Sequence, residues 1–387
     1  MNKSKIIIPF NQPTYLGDEM LHIENAVNSL KHCGNHQYAD KVIKLLQQKY
    51  DFGKIFLTPS CTAALEMGVL LADIKPGDEI ILPSYTFSST ANAFVLRGGL
   101  PKFCEINKNT MNMDVEHLKA LISPRTKLIM PIDYAGIPCE IEEIVEIANE
   151  NNIMVLQDSA QSLHSFHKSG RACGSVPQLA AFSFHETKNV NCGEGGALIV
   201  NDESLIRRAE FLQEKGTDRS LVIQGMKNKY SWVDVGSSFL LSDILASMLY
   251  AQLLNVEEIV HKRGKVYESY KKLFNYYEKN NHVSIPKVNK SLKLNNHAFF
   301  VIFDKIKNKE IFINSLKEHS VYAYIGYMPL HSSPMGVSFG YKPEDLKITQ
   351  DLASRLVRLP MSCDISDSTK LDYCISIIKN ALVKIYS

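Results

Sequence analysis

The stretch AFSFHETKNVNCGEGG, residues 181–196, sets one lysine, Lys188, between an apolar run ending in Phe184 and a cluster of glycines. The run LAAFSF (179–184) is short and uncharged, the pattern of a strand covered on both faces. A second such run, GALIVN (196–201), follows the glycines. Lys188 is then either a solvated surface charge, the ordinary fate of a lysine, or a group presented at the carboxyl end of a buried strand.

The same alternation runs upstream. KIFLT (54–58), DEIILP (78–83), PKFCEI (101–106), TKLIMPI (126–132) and IMVLQD (153–158) read as strands. Helix-length amphipathic segments separate them at 61–72, 89–96, 115–121 and 140–150, and Pro76-Gly77-Asp78 marks a turn. The pattern predicts βαβ units and an α/β fold with a mostly parallel central sheet. Residues 240–274 read as one long helix, 287–296 as an exposed loop, and the remainder as a smaller α+β unit. The expected division is a large domain over 1–250 and a small C-terminal domain over 251–387.

With 387 residues, 45% hydrophobic and 22% charged, the chain can bury a large core. Its 43 basic and 41 acidic residues are dispersed, so nothing marks a nucleic-acid partner. The eight cysteines form no CxxC pair and no disulfide framework. The opening MNKSKIIIPFNQPTY (1–15) has a short apolar run broken by Pro9, and no later run is apolar for a membrane's width. A cytoplasmic protein without membrane contact is expected. His164 and His167 form an HxxH pair without a carboxylate in register, so no metal site is expected. The glycines at 193–196 precede a strand instead of opening a helix, unlike a dinucleotide fingerprint.

Asp158 ends the strand IMVLQD, either as a helix N-cap or as an acid meeting a ligand at a strand's carboxyl end. Thirty positions on, Lys188 occupies the corresponding place after its own strand. A lysine and a carboxylate facing one crevice suit pyridoxal phosphate: the amine condenses with the cofactor aldehyde, and the acid keeps the pyridine nitrogen protonated. A phosphate needs amides and small hydroxyls, which the Ser60-Cys61-Thr62-Ala63 turn offers at a helix N-terminus, where an ordinary N-cap is the other reading. Tyr85 and Phe87 in PSYTFSST are candidates to stack on the cofactor ring, or core aromatics.

In this order, phosphate turn, aromatic, carboxylate and lysine match the layout of fold-type I pyridoxal phosphate enzymes. The segments LTPSCTAALEM, GDEIILPSYTFSSTANAFVLRG, YAGIPCEI, VLQDSAQ, AFSFHETKN, GEGGALIVND, EKGTDRS, DVGSSFLLSDILA and MPLH, spread over residues 57–331, resemble the DegT/DnrJ/EryC1/StrS sugar aminotransferases. The resemblance implies that Lys188 and Asp158 are catalytic and that Gln161 meets the 3-hydroxyl side of the cofactor. It places the Cys61-Thr62-Ala63 turn and Ser183 on the phosphate and Phe87 on the ring. Ser238 stands where many relatives carry an asparagine that reaches the neighbouring subunit's phosphate. His185, on the lysine loop, orients the loop or faces the substrate, and His331 is expected near the sugar. Arg219 is a candidate for anionic substrate groups, or a solvated arginine.

The implied reaction moves the amino group of L-glutamate, through pyridoxamine phosphate, to C4 of a dTDP-4-keto-6-deoxyhexose, with 2-oxoglutarate as by-product. FHETKN, EKGTDRS and VGSSFLLSD point within the family to dTDP-4-amino-4,6-dideoxygalactose as product. A gluco-configured 4-amine and amination at C3 stay open. Relatives that dehydrate carry histidine in place of the lysine, so Lys188 argues for transfer. A noncatalytic scaffold and a nicotinamide-dependent oxidoreductase are disfavoured by the intact Lys188/Asp158 pair and by the glycine-free TPSCTAAL segment. A homodimer or higher assembly is implied.

Overall fold

The two apolar runs flanking Lys188 lie side by side in a seven-stranded sheet, in a computed structural model that describes residues 6–387. Residues 1–5 of the opening stretch lie outside the described residues. The strands are β1 (Lys54–Thr58), β2 (Glu79–Pro83), β3 (Leu100–Cys104), β4 (Thr126–Ile129), β5 (Met154–Asp158), β6 (Leu179–Ser183) and β7 (Gly196–Val200). Their order is β1-β7-β6-β5-β4-β2-β3, and every pairing is parallel except those made by β7 with β1 and β6. All seven strands read from the sequence are present, and the mostly parallel α/β architecture is observed. Every residue of β2, β6 and β7 is buried, as a sheet covered by helices on both faces requires. The helix Ile141–Glu150 shows how: Ile141, Ile144, Ile147 and Ala148 form its buried stripe, while Glu142 and Glu143 sit in its first turn, where the helix dipole favours acids.

Because β7 alone runs backward, the lysine loop is the connection of an antiparallel pair, with Ser183 opposite Gly196. Gly196 also pairs with Thr58 of β1. The carboxyl ends of β1, β5 and β6 therefore share one edge of the sheet, which is where open α/β sheets bind ligands.

The helix expected over 240–274 is two helices, Asp243–Leu254 and Val256–Lys279. Asn255 interrupts them with φ −108° and ψ 15°, its amide donating back to the Ala251 carbonyl at 2.9 Å. Two helices not expected from the sequence, Glu19–Asn28 and Gln37–Lys49, pack on the first of these. Gln37–Lys49 has no side-chain cap of its own. The buried carboxylate of Asp243 accepts instead from the Tyr38 and Ala39 amides, at 3.1 and 2.8 Å.

The second helix joins two cores. Val256 and Ile259 belong to the core on the seven-stranded sheet, and Val266, Tyr270 and Phe274 to that of a four-stranded sheet. The latter comprises β8 (Val283–Ser284), β9 (Phe300–Phe303), β10 (Tyr324–Ile325) and β11 (Leu356–Arg358), in the order β10-β11-β9-β8. Ile8 packs into the same core. The stretch 287–296 is not wholly exposed: Asn295 is buried and donates to the carbonyls of Gln161 and Leu163 at 2.8 and 2.9 Å. Its short amide satisfies two carbonyls of the loop that follows Asp158. No helix among the described residues is long and apolar enough to cross a membrane.

Candidate active site

A cavity of about 320 Å³ opens at the shared carboxyl edge of β1, β5 and β6. Its walls include Cys61, Thr62, Phe87, Asp158, Gln161 and Lys188, with Ser183 and His185 beside them. One cavity thus gathers most of the residues that the sequence singled out.

The floor is a helix N-terminus. Ser60 leaves β1 in extended backbone and caps the helix Cys61–Leu71, its hydroxyl accepting from the Ala63 amide at 3.1 Å. Thr62 Oγ1 donates to Ser89 Oγ at 2.8 Å, and Ser89 stands in the first turn of the helix Ser88–Val95. Two helix starts and their hydroxyls so converge on one wall, the arrangement that favours an anion. The glycine cluster makes room for it. A Cβ on Gly196 would stand 2.5 Å from the Cys61 amide nitrogen and 2.4 Å from the Ser60 carbonyl carbon, so β7 approaches the turn only as glycine.

Asp158 is a buried carboxylate held by two donors, Thr90 Oγ1 at 2.8 Å and the Ala160 amide at 3.1 Å. Thr90 is bonded in turn to Thr86 Oγ1 at 2.8 Å. Burial pushes the carboxyl above its ordinary value, while Thr90, Ala160 and the Lys188 charge pull it back. Lys188 is half-buried, and none of the hydrogen bonds among the described residues uses its Nζ. Burial lowers its pKa below that of an ordinary lysine, Cys61 and Asp158 oppose the shift, and Arg358 adds to it. The loop is set by other groups: the Lys188 amide donates to the His185 carbonyl at 2.9 Å, and Asn189 donates to the Asn295 carbonyl at 2.7 Å.

Gln161 accepts from the Ala135 amide at 2.8 Å and donates to Tyr327 Oη at 3.0 Å. Phe87 keeps 58% of its surface exposed, although its ring forms a wall of the cavity. An aromatic face left open there fits a flat cofactor ring. Ser183 Oγ accepts from the His185 amide at 3.4 Å. His185 is turned to its own loop, with Nδ1 2.9 Å from Thr187 Oγ1 and Nε2 3.6 Å from Glu194.

Two expected residues, His331 and Arg219, are not brought to this cavity, and Ser238, expected to face a neighbouring subunit, also lies outside it. His331 is fully buried, with Nδ1 2.6 Å from Ser84 Oγ and Nε2 3.4 Å from the Pro343 carbonyl, so it pins chain segments together and does not line a sugar site. Tyr327, at the other end of the same YMPLH motif, is the residue that reaches the cavity. Arg219 pairs with Glu214 at 3.6 Å and, with exposed Ser238, lines a separate surface depression. Sequence reasoning also missed Asp133, a second carboxylate on the cavity wall. Its oxygens are taken by the Cys139 amide, Gln157, Ser159 and Ser162, which makes it a strut, not a reagent. Tyr327 sits outside the strand-end pattern that drew attention to Asp158 and Lys188, whereas Asp133 directly follows the run TKLIMPI, and the same pattern could have found it.

The donor set fits pyridoxal phosphate. It offers helix amides and hydroxyls for the phosphate, an open aromatic face for the ring, a buried carboxylate for the ring nitrogen and an unpartnered amine for the aldehyde.

The chain is 27% identical to the GDP-perosamine synthase of Escherichia coli O157:H7, covering 96% of this chain and 97% of that protein. It is 28% identical to the dTDP-4-dehydro-2,3,6-trideoxy-D-glucose 4-aminotransferase of Saccharopolyspora spinosa, over 81% and 80% of the respective chains. In fold it matches the aminotransferase from Psychrobacter cryohalolentis with a TM-score of 0.91, at 21% identity, over 99% of this chain and 100% of that one. The model of the DegT/DnrJ/EryC1/StrS aminotransferase family matches residues 35–378, and the chain belongs to that family, with the fold-type I architecture and the pyridoxal phosphate cofactor of its members.

Proposed function

We propose that this sugar aminotransferase moves the amino group of L-glutamate to C4 of a dTDP-linked 4-keto-6-deoxyhexose and gives the galacto-configured 4-amine. The observation that carries the chemistry is the unpartnered Lys188 amine opening onto the same cavity as the buried Asp158 carboxylate. Support for C4 comes from the Saccharopolyspora spinosa relative, which is a 4-aminotransferase. The galacto product rests on the motifs FHETKN, EKGTDRS and VGSSFLLSD.

When bound, the cofactor supplies an electron sink for the carbon that bears the amine. Thr62, Ser183 and the amides of the Cys61-Thr62-Ala63 turn would hold its phosphate, with Ser60 sharing the Ala63 amide. Phe87 would cover the ring, Gln161 would meet its 3-hydroxyl side, and Asp158 would hold its nitrogen protonated by charge. Lys188 would anchor the cofactor and would serve as the base, and then as the acid, that moves the proton of the amine-bearing carbon. Burial favours the neutral amine that anchoring and the base role need.

Arg219 and Ser238 belong to a face where Ile223, Met226 and Trp232 are 72%, 65% and 80% exposed. Apolar exposure on this scale marks an interface, and a second copy of the chain is the proposed occupant. In that arrangement Ser238 would be the residue that meets the partner's cofactor phosphate.

The test is turnover of dTDP-4-keto-6-deoxyglucose with ¹⁵N-labelled L-glutamate, followed by ring-proton NMR of the product. Labelled nitrogen axial at C4 is expected. An equatorial amine, amination at C3, or turnover only with a GDP-linked keto sugar, as the Escherichia coli relative's name suggests, overturns the finer assignment.

A further inference from the structure

Behind Lys188, on the side of the four-stranded sheet, lies a second and smaller cavity of about 100 Å³. It shares Lys188, Gln161 and Tyr327 with the first, so the lysine stands in the wall between the two. Three of its lining residues are Lys188, Arg263 and Arg358, and none is an aspartate or a glutamate. A cavity walled by cations without an acid concentrates a field that attracts an anion.

The two arginines differ in what they already hold. The Arg263 guanidinium is committed: Nε donates to the Asn296 carbonyl at 3.1 Å and Nη2 to the His297 carbonyl. Arg358, at the end of β11, is not. Its Nε is buried without a hydrogen-bond partner, and no ion pair among the described residues engages its guanidinium. Aromatic groups attend it, beside the cations Lys188 and Arg263. Phe10 lies with its ring centroid 5.2 Å from the guanidinium carbon, and Tyr134, Tyr327 and Tyr85 are its electrostatic neighbours. His297, the other basic group facing the cavity, is buried and kept neutral, bonded to Asn189 Oδ1 at 3.0 Å. An arginine that pays desolvation and receives no acceptor is costly to keep unless a ligand completes it.

We propose that Arg358 binds the carboxylate of the amino-acid donor, seated in this second cavity against the amine-bearing carbon that Lys188 serves. The inference rests on the aminotransferase reading and extends it to the donor's binding site. Two arguments choose the carboxylate over the nucleotide's diphosphate. First, an amino acid carries its carboxylate on the very carbon whose proton Lys188 moves, so the carboxylate must lie next to the lysine. The diphosphate is separated from C4 by the sugar ring. Second, a cavity of about 100 Å³ admits a carboxylate and its carbon but not a nucleotide diphosphate. A guanidinium also matches a carboxylate with two parallel hydrogen bonds, a geometry that lysine cannot copy. Phe10 and Asn11 come from the N-terminal segment, which the Met361 amide ties to the small sheet through the Phe10 carbonyl at 3.0 Å. That segment closes the cavity over the guanidinium face.

The experiment compares holoenzyme with Arg358→Gln and Arg358→Lys in two separate half-reactions and in one binding measurement. Single-turnover reaction with L-glutamate, read from the cofactor spectrum, should saturate at a concentration about 30- to 100-fold higher in Arg358→Gln, the loss expected for charged hydrogen bonds. Arg358→Lys should fall between it and the wild type. The reverse half-reaction, from amino sugar to keto sugar, should hold within about threefold, since its substrate has no carboxylate at the reacting carbon. Calorimetric binding of maleate, a dicarboxylate without an amine, should weaken in parallel with glutamate. Unchanged glutamate saturation would overturn the assignment, as would equal loss of both half-reactions, which would make Arg358 a structural group. If Arg358→Gln fails to fold, unchanged maleate and glutamate affinity in Arg358→Lys overturns it. A wild type that reacts with amino sugar but with no amino acid sinks the donor site alone, whereas one that reacts with neither sinks the aminotransferase reading and the donor site with it.

Discussion

Lys188 and Asp158 are each unfavourable where they stand, and the cost is informative. Burial lowers the lysine's pKa, so its neutral, nucleophilic form arises at a lower pH than that of an exposed lysine. The rate of pyridoxal phosphate capture by the apoprotein should therefore climb with pH through a midpoint below 10.5; a midpoint at or above that value would show that burial does not activate the amine. For Asp158 the shift is upward, so the carboxylate penalises the folded apoprotein only when ionised. The penalty is absent below 3.8, where both states are protonated, and grows as the pH rises through the raised value. Asp158→Asn can keep the Ala160 bond through its oxygen and meet Thr90 with its amide. The apo variant should melt at or above the wild type at neutral pH and show no advantage in acid. Its holoenzyme should lose turnover by roughly 10²–10³-fold while still holding cofactor. His331→Ala should show the reverse: a stability loss of about 1–3 kcal/mol from the broken Ser84 contact, with sugar KM unchanged. The lysine and the acid were legible because strand ends can be read from apolar runs. That His331 is buried while Tyr327 faces the cavity depends on how the small sheet docks, which no local pattern in YMPLH encodes.

At the scale of the element, the site is made by the one reversed strand. β7 brings the glycine cluster against the Ser60–Ala63 turn, and a Cβ at Gly196 would collide with backbone at 2.4 Å. Gly196→Ala should therefore lower cofactor affinity and cost about 1–3 kcal/mol of stability, read by equilibrium dialysis and by thermal melting. Retained affinity would mean that the turn can yield. The strands were legible because each is short, apolar and bounded by turn residues. The break at Asn255 was not, since 240–274 remains periodic across it and only a side chain bonding back to Ala251 reveals the interruption. The helices 19–28 and 37–49 escaped notice for a related reason. The second is capped by Asp243, about two hundred positions away, and carries no cap of its own at His36.

For the whole molecule, the cavity draws Leu65, Ile132 and Tyr134 from apolar clusters other than the two that the helix Val256–Lys279 joins, and the exposed segment around Trp232 lies apart from it. If a second copy covers that segment, sedimentation should report a dimer for the wild type and a lighter species for Trp232→Glu. A monomeric wild type would contradict the proposed interface. The central claim is that the Lys188 amine is a reagent and not a surface charge, and the measurement that tests it most directly is borohydride reduction of the protein with pyridoxal phosphate, followed by peptide mapping by mass spectrometry. The account predicts a pyridoxyl group on Lys188 alone, abolished in Lys188→Ala. A label on another lysine, or no label at all, would contradict it.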